Sequence, residues 1–131
     1  MPEKETMRRA REDKRSGKAP TTQAGEFVRE EMHHIREGKH GARSTKQAIA
    51  IGLSKARRAG VKLGRPPASA KASTKRSAAS ATRRRGKPVS PRRSRAVRRV
   101  LKREGHRAAS HKALARQAQT AARRRRGAAT S

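Results

Sequence analysis

One stretch, TTQAGEFVREEMHHIREGKHGARSTKQAIAIGLSKARRAGV at residues 21–61, decides the fold. Its first part, residues 21–38, begins at a threonine pair and ends at a glycine. Between those ends the apolar residues recur at the spacing of one helix face, which predicts an amphipathic helix. That face consists of Ala24, Phe27, Val28, Met32 and Ile35.

The second part of the stretch carries signals for both ends of another helix. Ser44 followed by Gln47 is a capping box, and Gly60 followed by Val61 is typical of a Schellman ending. The connection GKHGAR is short enough to fold one helix back on the other. We therefore predict a helical hairpin over residues 21–63, with a core of Phe27, Val28, Met32, Ile35, Ile49 and Leu53.

The residues before the hairpin, 1–18, predict a further helix. Early glutamates, late cations and then Gly17 suit the helix dipole and a glycine ending. Met7 and Ala10 are the apolar face that this segment offers. Because that face is so small, we expect the N-terminal helix to stand free of the hairpin.

The composition leaves little material for a hydrophobic core. Leu, Ile, Val and Phe together number 13 of the 131 residues, Phe27 is the one aromatic residue, and there is no cysteine. A chain of this kind with a net charge of +29 is typical of disorder. We expect the hairpin to be marginally stable alone, with self-association or ligand binding adding stability.

Charge divides the chain near residue 64. Residues 1–63 carry a net charge of +8, and residues 64–131 carry +21 with Glu104 as their one acidic residue. Residues 64–89 are rich in Ala, Ser, Lys and Pro, which predicts a flexible basic linker.

An Arg/Ala-rich tail follows at residues 90–131. Two helices, starting after Ser90 and after Ser110, are expected to form there when the charge is neutralised. The predicted fold class is thus mostly α: a small helical hairpin, preceded by a free N-terminal helix and followed by a largely disordered basic tail with inducible helices.

Glycine and proline interrupt the arginines of RRRGKPVSPRRSR, residues 83–95. The RGKP motif at residues 85–88 resembles the core of an AT-hook, with lysine where the second arginine usually stands. The SPRR motif at residues 90–93 resembles the basic repeats of linker-histone tails. Both would let an extended peptide place guanidinium groups in the minor groove. The alternatives are a plain linker break and an ordinary helix start.

The size and sign of the net charge point to a polyanion as partner. We predict DNA, bound through its phosphates without base readout, and RNA is the alternative because a basic tail without aromatic residues does not separate the two. The predicted contacts are Arg83, Arg84, Arg85, Gly86, Lys87, Pro88, Arg92, Arg93, Arg95, Arg98, Arg99, Lys102, Arg103, Arg123, Arg124, Arg125 and Arg126.

Histidines and glutamates cluster between residues 30 and 40, so a metal site can be drawn there. We favour the interpretation as a polar helix face with a loop histidine, and predict no metal or other cofactor. No P-loop and no nucleophile–base–acid spacing stands out, so we predict no catalytic residue and no enzyme. The clustered residues are Glu30, Glu31, His33, His34, Glu37 and His40.

The segment TQAGEFVREEMHHIREGKHGARSTKQAIAIGLSKARRAGVKL, residues 22–63, looks like the shared core of an uncharacterised family of small basic bacterial proteins. The tail at residues 90–126 is similar to tails in the same group. The resemblance implies a DNA-binding, histone-like or plasmid-stabilization role and no catalytic residues. In that core VKL is commonly followed by prolines, whereas Gly64 and Arg65 intervene here.

The function predicted from these features is histone-like, largely sequence-independent DNA binding by a cytoplasmic, nucleoid-associated protein. The basic arm, residues 65–126, would engage the polyanion, and the hairpin would dock or self-associate. One rival is an RNA- or ribosome-associated protein. The other is an interaction adaptor of the plasmid-maintenance type, whose hairpin binds a protein partner.

A membrane role is disfavoured on three grounds. No apolar run approaches the roughly 20 residues needed to span a bilayer, and the first residues lack the apolar stretch of a secretory signal. The apolar strip of residues 97–101 is thin and has no Trp or Phe to anchor it in a membrane surface.

Overall fold

The computed structural model of the chain describes residues 3–66, 68, 70–87 and 89–130, with side chains up to residue 127. The described part contains no strand, in agreement with the predicted mostly-α class, and none of its helices is long and apolar enough to cross a bilayer. Its elements are α1 (Lys4–Arg15), α2 (Pro20–Arg36), α3 (Thr45–Arg58), α4 (Ala72–Arg83), α5 (Pro91–Lys102), a 3₁₀ turn (Arg107–Ala109) and α6 (His111–Thr130).

α2 and α3 form the central helix pair. They run antiparallel, since Phe27 in the first half of α2 clusters with Ala56 near the end of α3, and Ile35 clusters with Ala48. Midway along the pair, Gly52 lets the two backbones approach closely. A Cβ atom on Gly52 would lie only 2.7 Å from the Cα atom of Val28 on α2. The pair is therefore held by close backbone contact as well as by side chains.

Both predicted ends of α3 are present. Ser44 Oγ accepts a hydrogen bond from Gln47 N at 3.1 Å. Gln47 Oε1 accepts from Arg43 N at 2.6 Å, one residue before the position expected in a capping box. At the other end Gly60 adopts a φ of 99° and the backbone closes in the Schellman pattern.

Alanine provides most of the core. Among the described residues, nine of the 13 buried hydrophobic residues are alanines. Their small side chains let helix backbones come together without a large apolar volume. Helices that carry few bulky residues can therefore still dock. Of the predicted core residues, Phe27, Met32 and Ile35 are buried, and Val28, Ile49 and Leu53 are partly buried against the same clusters.

The N-terminal helix is not free, and that prediction was wrong. α1 packs on α2 through Thr6, Ala10 and Asp13, which lie on one face of α1 and are buried. Glu3 N, just before α1, also donates a 2.6 Å hydrogen bond to Glu30 Oε1 on α2. Met7 packs at the edge of this contact, but its buried residues on α1 are small or polar, so a count of bulky apolar residues underestimates it.

The prediction of a largely disordered tail after a flexible linker was also wrong. The segment 64–89 contains α4, which packs on α3 with Ala78 and Ala81 buried. The tail itself forms α5 and the long α6, and Leu114 of α6 packs against the central core. Alanine explains the difference, because it favours helix strongly and needs little space to dock.

The chain between α5 and α6 folds back onto the α2–α3 connection. Gly41 N donates to Leu101 O at 2.8 Å, and Thr45 Oγ1 donates to Ala108 O at 2.7 Å. A Cβ atom on Gly41 would lie 2.0 Å from Glu104 O, so the close approach requires glycine. These two hydrogen bonds, one between backbone groups and one from the Thr45 hydroxyl, tie the basic arm to the hairpin.

Candidate polyanion-binding site

Charge is distributed very unevenly over the folded chain. Residues 1–37, which hold α1 and α2, carry 9 Lys/Arg and 8 Asp/Glu, a net of +1. Residues 38–131 carry 29 Lys/Arg and Glu104 alone, a net of +28. The boundary therefore lies between the two helices of the hairpin, earlier than the composition change near residue 64, and α3 belongs electrostatically with the basic arm.

An open cavity of about 320 Å³ lies within this basic region, where α3, α4 and the first turn of α5 meet. Its lining comprises four arginines, three serines and one alanine, and includes no carboxylate. A volume of this size is at the lower end of the range of ligand pockets, about 300–1,000 Å³. The lining residues are Ser54, Arg58, Arg76, Ser77, Ser80, Ala81, Arg84 and Arg93.

Helical spacing on α4 brings its share of the lining together. Arg76, Ser80 and Arg84 follow one another at intervals of four residues, so they lie along one side of α4 and the turn after it. Ala81, buried to 4% exposure, lies beside them and packs toward α3. The small side chain keeps α4 close to α3, and the flanking arginines then border the cavity.

Arg58, at the end of α3, fixes the far edge of the cavity. Its carbonyl oxygen accepts a hydrogen bond from Gly86 N at 2.7 Å, and its Nη2 donates to Lys87 O at 3.1 Å. Gly86 adopts a φ of 75°, a left-handed conformation that favours glycine. Arg58 thus holds the turn after α4 in place and presents its remaining guanidinium donors.

The chemistry of this lining suits an anion. Guanidinium groups donate paired N–H bonds to phosphate or carboxylate oxygens and remain charged, and serine hydroxyls add further donors. With no carboxylate in the lining, the guanidinium charge is not neutralised within the cavity. A phosphate group is therefore the ligand for which this arrangement is best suited.

The predicted nucleic-acid contacts fall into three groups on the fold. Residues 83–87 lie at the end of α4 and in the turn after it, residues 92–103 lie on and just after α5, and residues 123–126 lie on α6. All of the predicted contacts that the structure describes are exposed. The cavity brings together Arg84 and Arg93 from this set, and Pro88 lies outside the described residues.

The two short motifs adopt helix ends in this structure. Residues 85–87 of the AT-hook-like RGKP motif close α4, since Gly86 N bonds to α3 in a tight turn and is not part of an extended peptide. Ser90 caps α5, with its Oγ accepting from Arg93 N at 3.2 Å, and Pro91 is the first helical residue. The helix-start alternative thus describes the SPRR motif.

Sequence reasoning missed five polar lining residues, and Ala81 beside them, because it treated residues 64–89 as a linker and α3 as part of a docking module. The available signal was the four-residue spacing of arginine and serine within an alanine-rich segment, which would have placed them on one helix face. The missed polar residues are Ser54, Arg58, Arg76, Ser77 and Ser80.

The histidine–glutamate cluster of α2 is divided between solvent and interior. His33 faces out and pairs with Glu37 at 2.8 Å, as expected for an exposed polar face. His34 turns inward, and its Nε2 atom lies 3.0 Å from Glu3 Oε1. This hydrogen bond from His34 lowers the pKa of Glu3 below its ordinary value of 4.5, and the charges of His34 and Lys39 act in the same direction.

The comparisons with known proteins concern the hairpin. No curated protein and no solved structure matches the chain. Residues 19–67, which take in α2 and α3, match the model of a family of unknown function (DUF6496). The match agrees with the predicted resemblance to an uncharacterised family over the hairpin, and it carries no DNA-binding, histone-like or plasmid-stabilization role.

Proposed function

We propose that the chain binds nucleic acid, with duplex DNA as the expected partner, through phosphate contacts and without readout of base sequence. The observation that carries this proposal is the cavity lined by four arginines and three serines without a carboxylate. Phosphate oxygens need positive charge and N–H or O–H donors, and the cavity offers both.

The cavity is the anchor in this proposal, and the exposed arginines of α5 and α6 extend it. One backbone phosphate would bind between Arg76, Arg84 and Arg93, which come from α4, the turn after it and α5. Arginines along α5 and α6 would then follow neighbouring phosphates. Duplex DNA carries one negative charge per about 1.7 Å of axis, so the +21 of residues 64–131 balances roughly 36 Å of duplex.

The structure gives less support to the hairpin as a docking or self-association module. Its predicted core residues are buried or partly buried within the fold, where they pack against α1, against each other across the hairpin and against the α5–α6 connection. Among the described residues, the large hydrophobic side chains that are exposed are Val89, Val97 and Val100, and these lie outside the hairpin. An adaptor that captures a protein through the hairpin would have to bind by its polar surface.

The proposal is tested by salt-titrated binding of the full chain to fluorescently labelled duplex DNA. If 6–10 phosphates are engaged, the affinity should fall about 10³–10⁵-fold between 50 and 200 mM salt. A·T-rich and G·C-rich duplexes should bind equally. If no complex forms with any nucleic acid in dilute buffer, the proposal is contradicted.

Competition by other polyanions identifies the partner. Structured RNA and polyphosphate are added at equal phosphate concentration to the preformed DNA complex. We expect duplex DNA to compete at least as well as either. If structured RNA displaces the DNA more effectively, the RNA-associated rival replaces the DNA proposal.

A further inference from the structure

A buried carboxylate and two imidazole rings converge where α2 ends and the following loop turns back. The side chain of Glu31 is 1% exposed, that of His40 is 11% exposed and that of His34 is 13% exposed. One candidate ligand atom from each of the three lies within 4.8 Å of the other two. This cluster is separate from the arginine–serine cavity and contributes nothing to the proposed nucleic-acid contacts.

One oxygen of Glu31 has no hydrogen-bond partner among the described residues. Oε1 forms an ion pair with the ammonium group of Lys55 on α3, which offsets part of the buried negative charge of Glu31. Oε2 is buried without a hydrogen bond, although His40 Nε2 lies only 3.2 Å away. A buried carboxylate oxygen in this position is costly unless a positive group satisfies it.

The hydrogen bond made by His40 Nδ1 determines whether His40 Nε2 presents a hydrogen or a lone pair to Glu31. His40 Nδ1 lies 2.8 Å from Gly41 O, and a carbonyl oxygen can only accept, so Nδ1 carries the hydrogen. In a neutral ring, Nε2 then presents a lone pair to Glu31 Oε2. Two acceptors at 3.2 Å repel each other unless a proton or a metal cation lies between them.

A metal cation fits the spacing. With Zn–N and Zn–O bonds of about 2.0–2.2 Å in tetrahedral geometry, two ligand atoms are about 3.3–3.5 Å apart, close to the 3.2 Å between His40 Nε2 and Glu31 Oε2. The hydrogen bond from His40 to a backbone carbonyl is the usual outer-shell support of a metal-bound histidine. Lys55 on the second carboxylate oxygen would support Glu31 in the same way.

We propose that Glu31, His34 and His40 bind a transition-metal dication of the zinc class, with the fourth position left to solvent. Imidazole and carboxylate ligands without thiolate suit Zn²⁺ and its probe Co²⁺, and the chain has no cysteine. Because Gly41, next to His40, bonds to Leu101 O, the metal would also stiffen the junction with the basic arm. Metal binding at this cluster does not depend on nucleic-acid binding.

The test uses the full chain, stripped of metal by a chelator and titrated with Co²⁺ and then Zn²⁺. We expect one saturable equivalent by calorimetry, the visible absorption of four-coordinate Co²⁺, and a rise in melting temperature. His40→Gln and His34→Gln should each weaken binding by at least about tenfold. His33→Gln, one residue away on the solvent side of α2, is the matched control and should bind as the unaltered chain does.

Three results would overturn the proposal. The first is the absence of saturable binding, and the second is an equal loss of affinity in His33→Gln and His40→Gln. The third comes from the unaltered chain and does not depend on any variant folding. If long-range ¹H–¹⁵N spectra show both nitrogens of His40 protonated at neutral pH with excess Zn²⁺, a proton fills the gap and the metal does not.

Discussion

The two helices of the hairpin pack together closely but belong to different electrostatic regions. α1 and α2 are nearly neutral, since residues 1–37 sum to +1, and their cations pair locally, as Arg8 does with Glu12 at 2.8 Å. From residue 38 onward the net charge is +28. Packing and charge are thus independent in this fold: alanine contacts decide which helices touch, and the placement of carboxylates decides which surface can hold an anion.

A partly buried ion pair, between Glu31 of α2 and Lys55 of α3, crosses this boundary. Lys55→Met should destabilise the fold by about 3–5 kcal/mol, because the buried Glu31 carboxylate loses its ammonium partner. The free energy of unfolding by urea, in metal-free protein, measures the effect. The double variant Glu31→Gln/Lys55→Met should recover part of the loss, and a Lys55→Met chain as stable as the original would contradict the account.

The junction between hairpin and arm is the next point at which the two regions can be separated. Gly41→Ala should lower the free energy of unfolding by about 1–3 kcal/mol or more. The added Cβ would lie 2.0 Å from Glu104 O, so the backbone at Glu104 would have to shift. Thermal unfolding measures the change. Gly25→Ala on α2, whose Cβ would meet nothing within 4 Å, is the control and should raise stability slightly.

Removing one serine cap from α3 and one from α5 compares a well-packed helix with a lightly packed one. Ser44→Ala should lower global stability by about 1 kcal/mol, since Ser44 caps α3 in the central pair. Ser90→Ala removes the same kind of cap from α5, which is buried through Leu101 alone. We expect local fraying of α5 with little global change. Amide hydrogen exchange separates these outcomes, and equal global losses would show that α5 is as integral as α3.

The smallest predicted effect concerns pH and the docking of α1. The pKa of Glu3 is lowered in the fold by its hydrogen bond with His34. The stabilisation is therefore present above the unfolded pKa of about 4.5 and is lost as pH falls through the lowered folded value. NMR titration of Glu3 in metal-free protein should show the lowered pKa, and His34→Gln should return it toward normal. An unchanged Glu3 pKa in that variant would contradict this contact.

The sequence was most informative where bulky residues and cap signals coincide. The 3.6-residue spacing from Phe27 to Ile35 and the caps at Ser44 and Gly60 predicted α2 and α3 closely. The rest depended on alanine. Ala78 and Ala81 dock α4, but alanine carries no periodic hydrophobic signal that would distinguish a docked helix from a basic linker.

The candidate site could be predicted in part for the same reason. The arginines after residue 82 stood out by density, and Arg84 and Arg93 do line the cavity. Arg58 and Arg76 come from segments that are distant in sequence and meet only through the α3–α4 contact. Likewise, only the fold shows that His40 turns toward Glu31 while His33 turns toward solvent.

We expect phosphate binding to depend on where the arginines lie and not on net charge alone. Two variants with the same loss of charge test it directly: Arg76→Gln/Arg93→Gln in the cavity, and Arg11→Gln/Arg15→Gln on the exposed side of α1. Fluorescence anisotropy with one DNA duplex is measured from 50 to 200 mM salt. We expect a weaker affinity for the cavity variant, with a salt slope reduced by about 1 because both arginines would contact the same phosphate, and little change for the α1 variant. Equal losses of affinity and slope in both variants would contradict it.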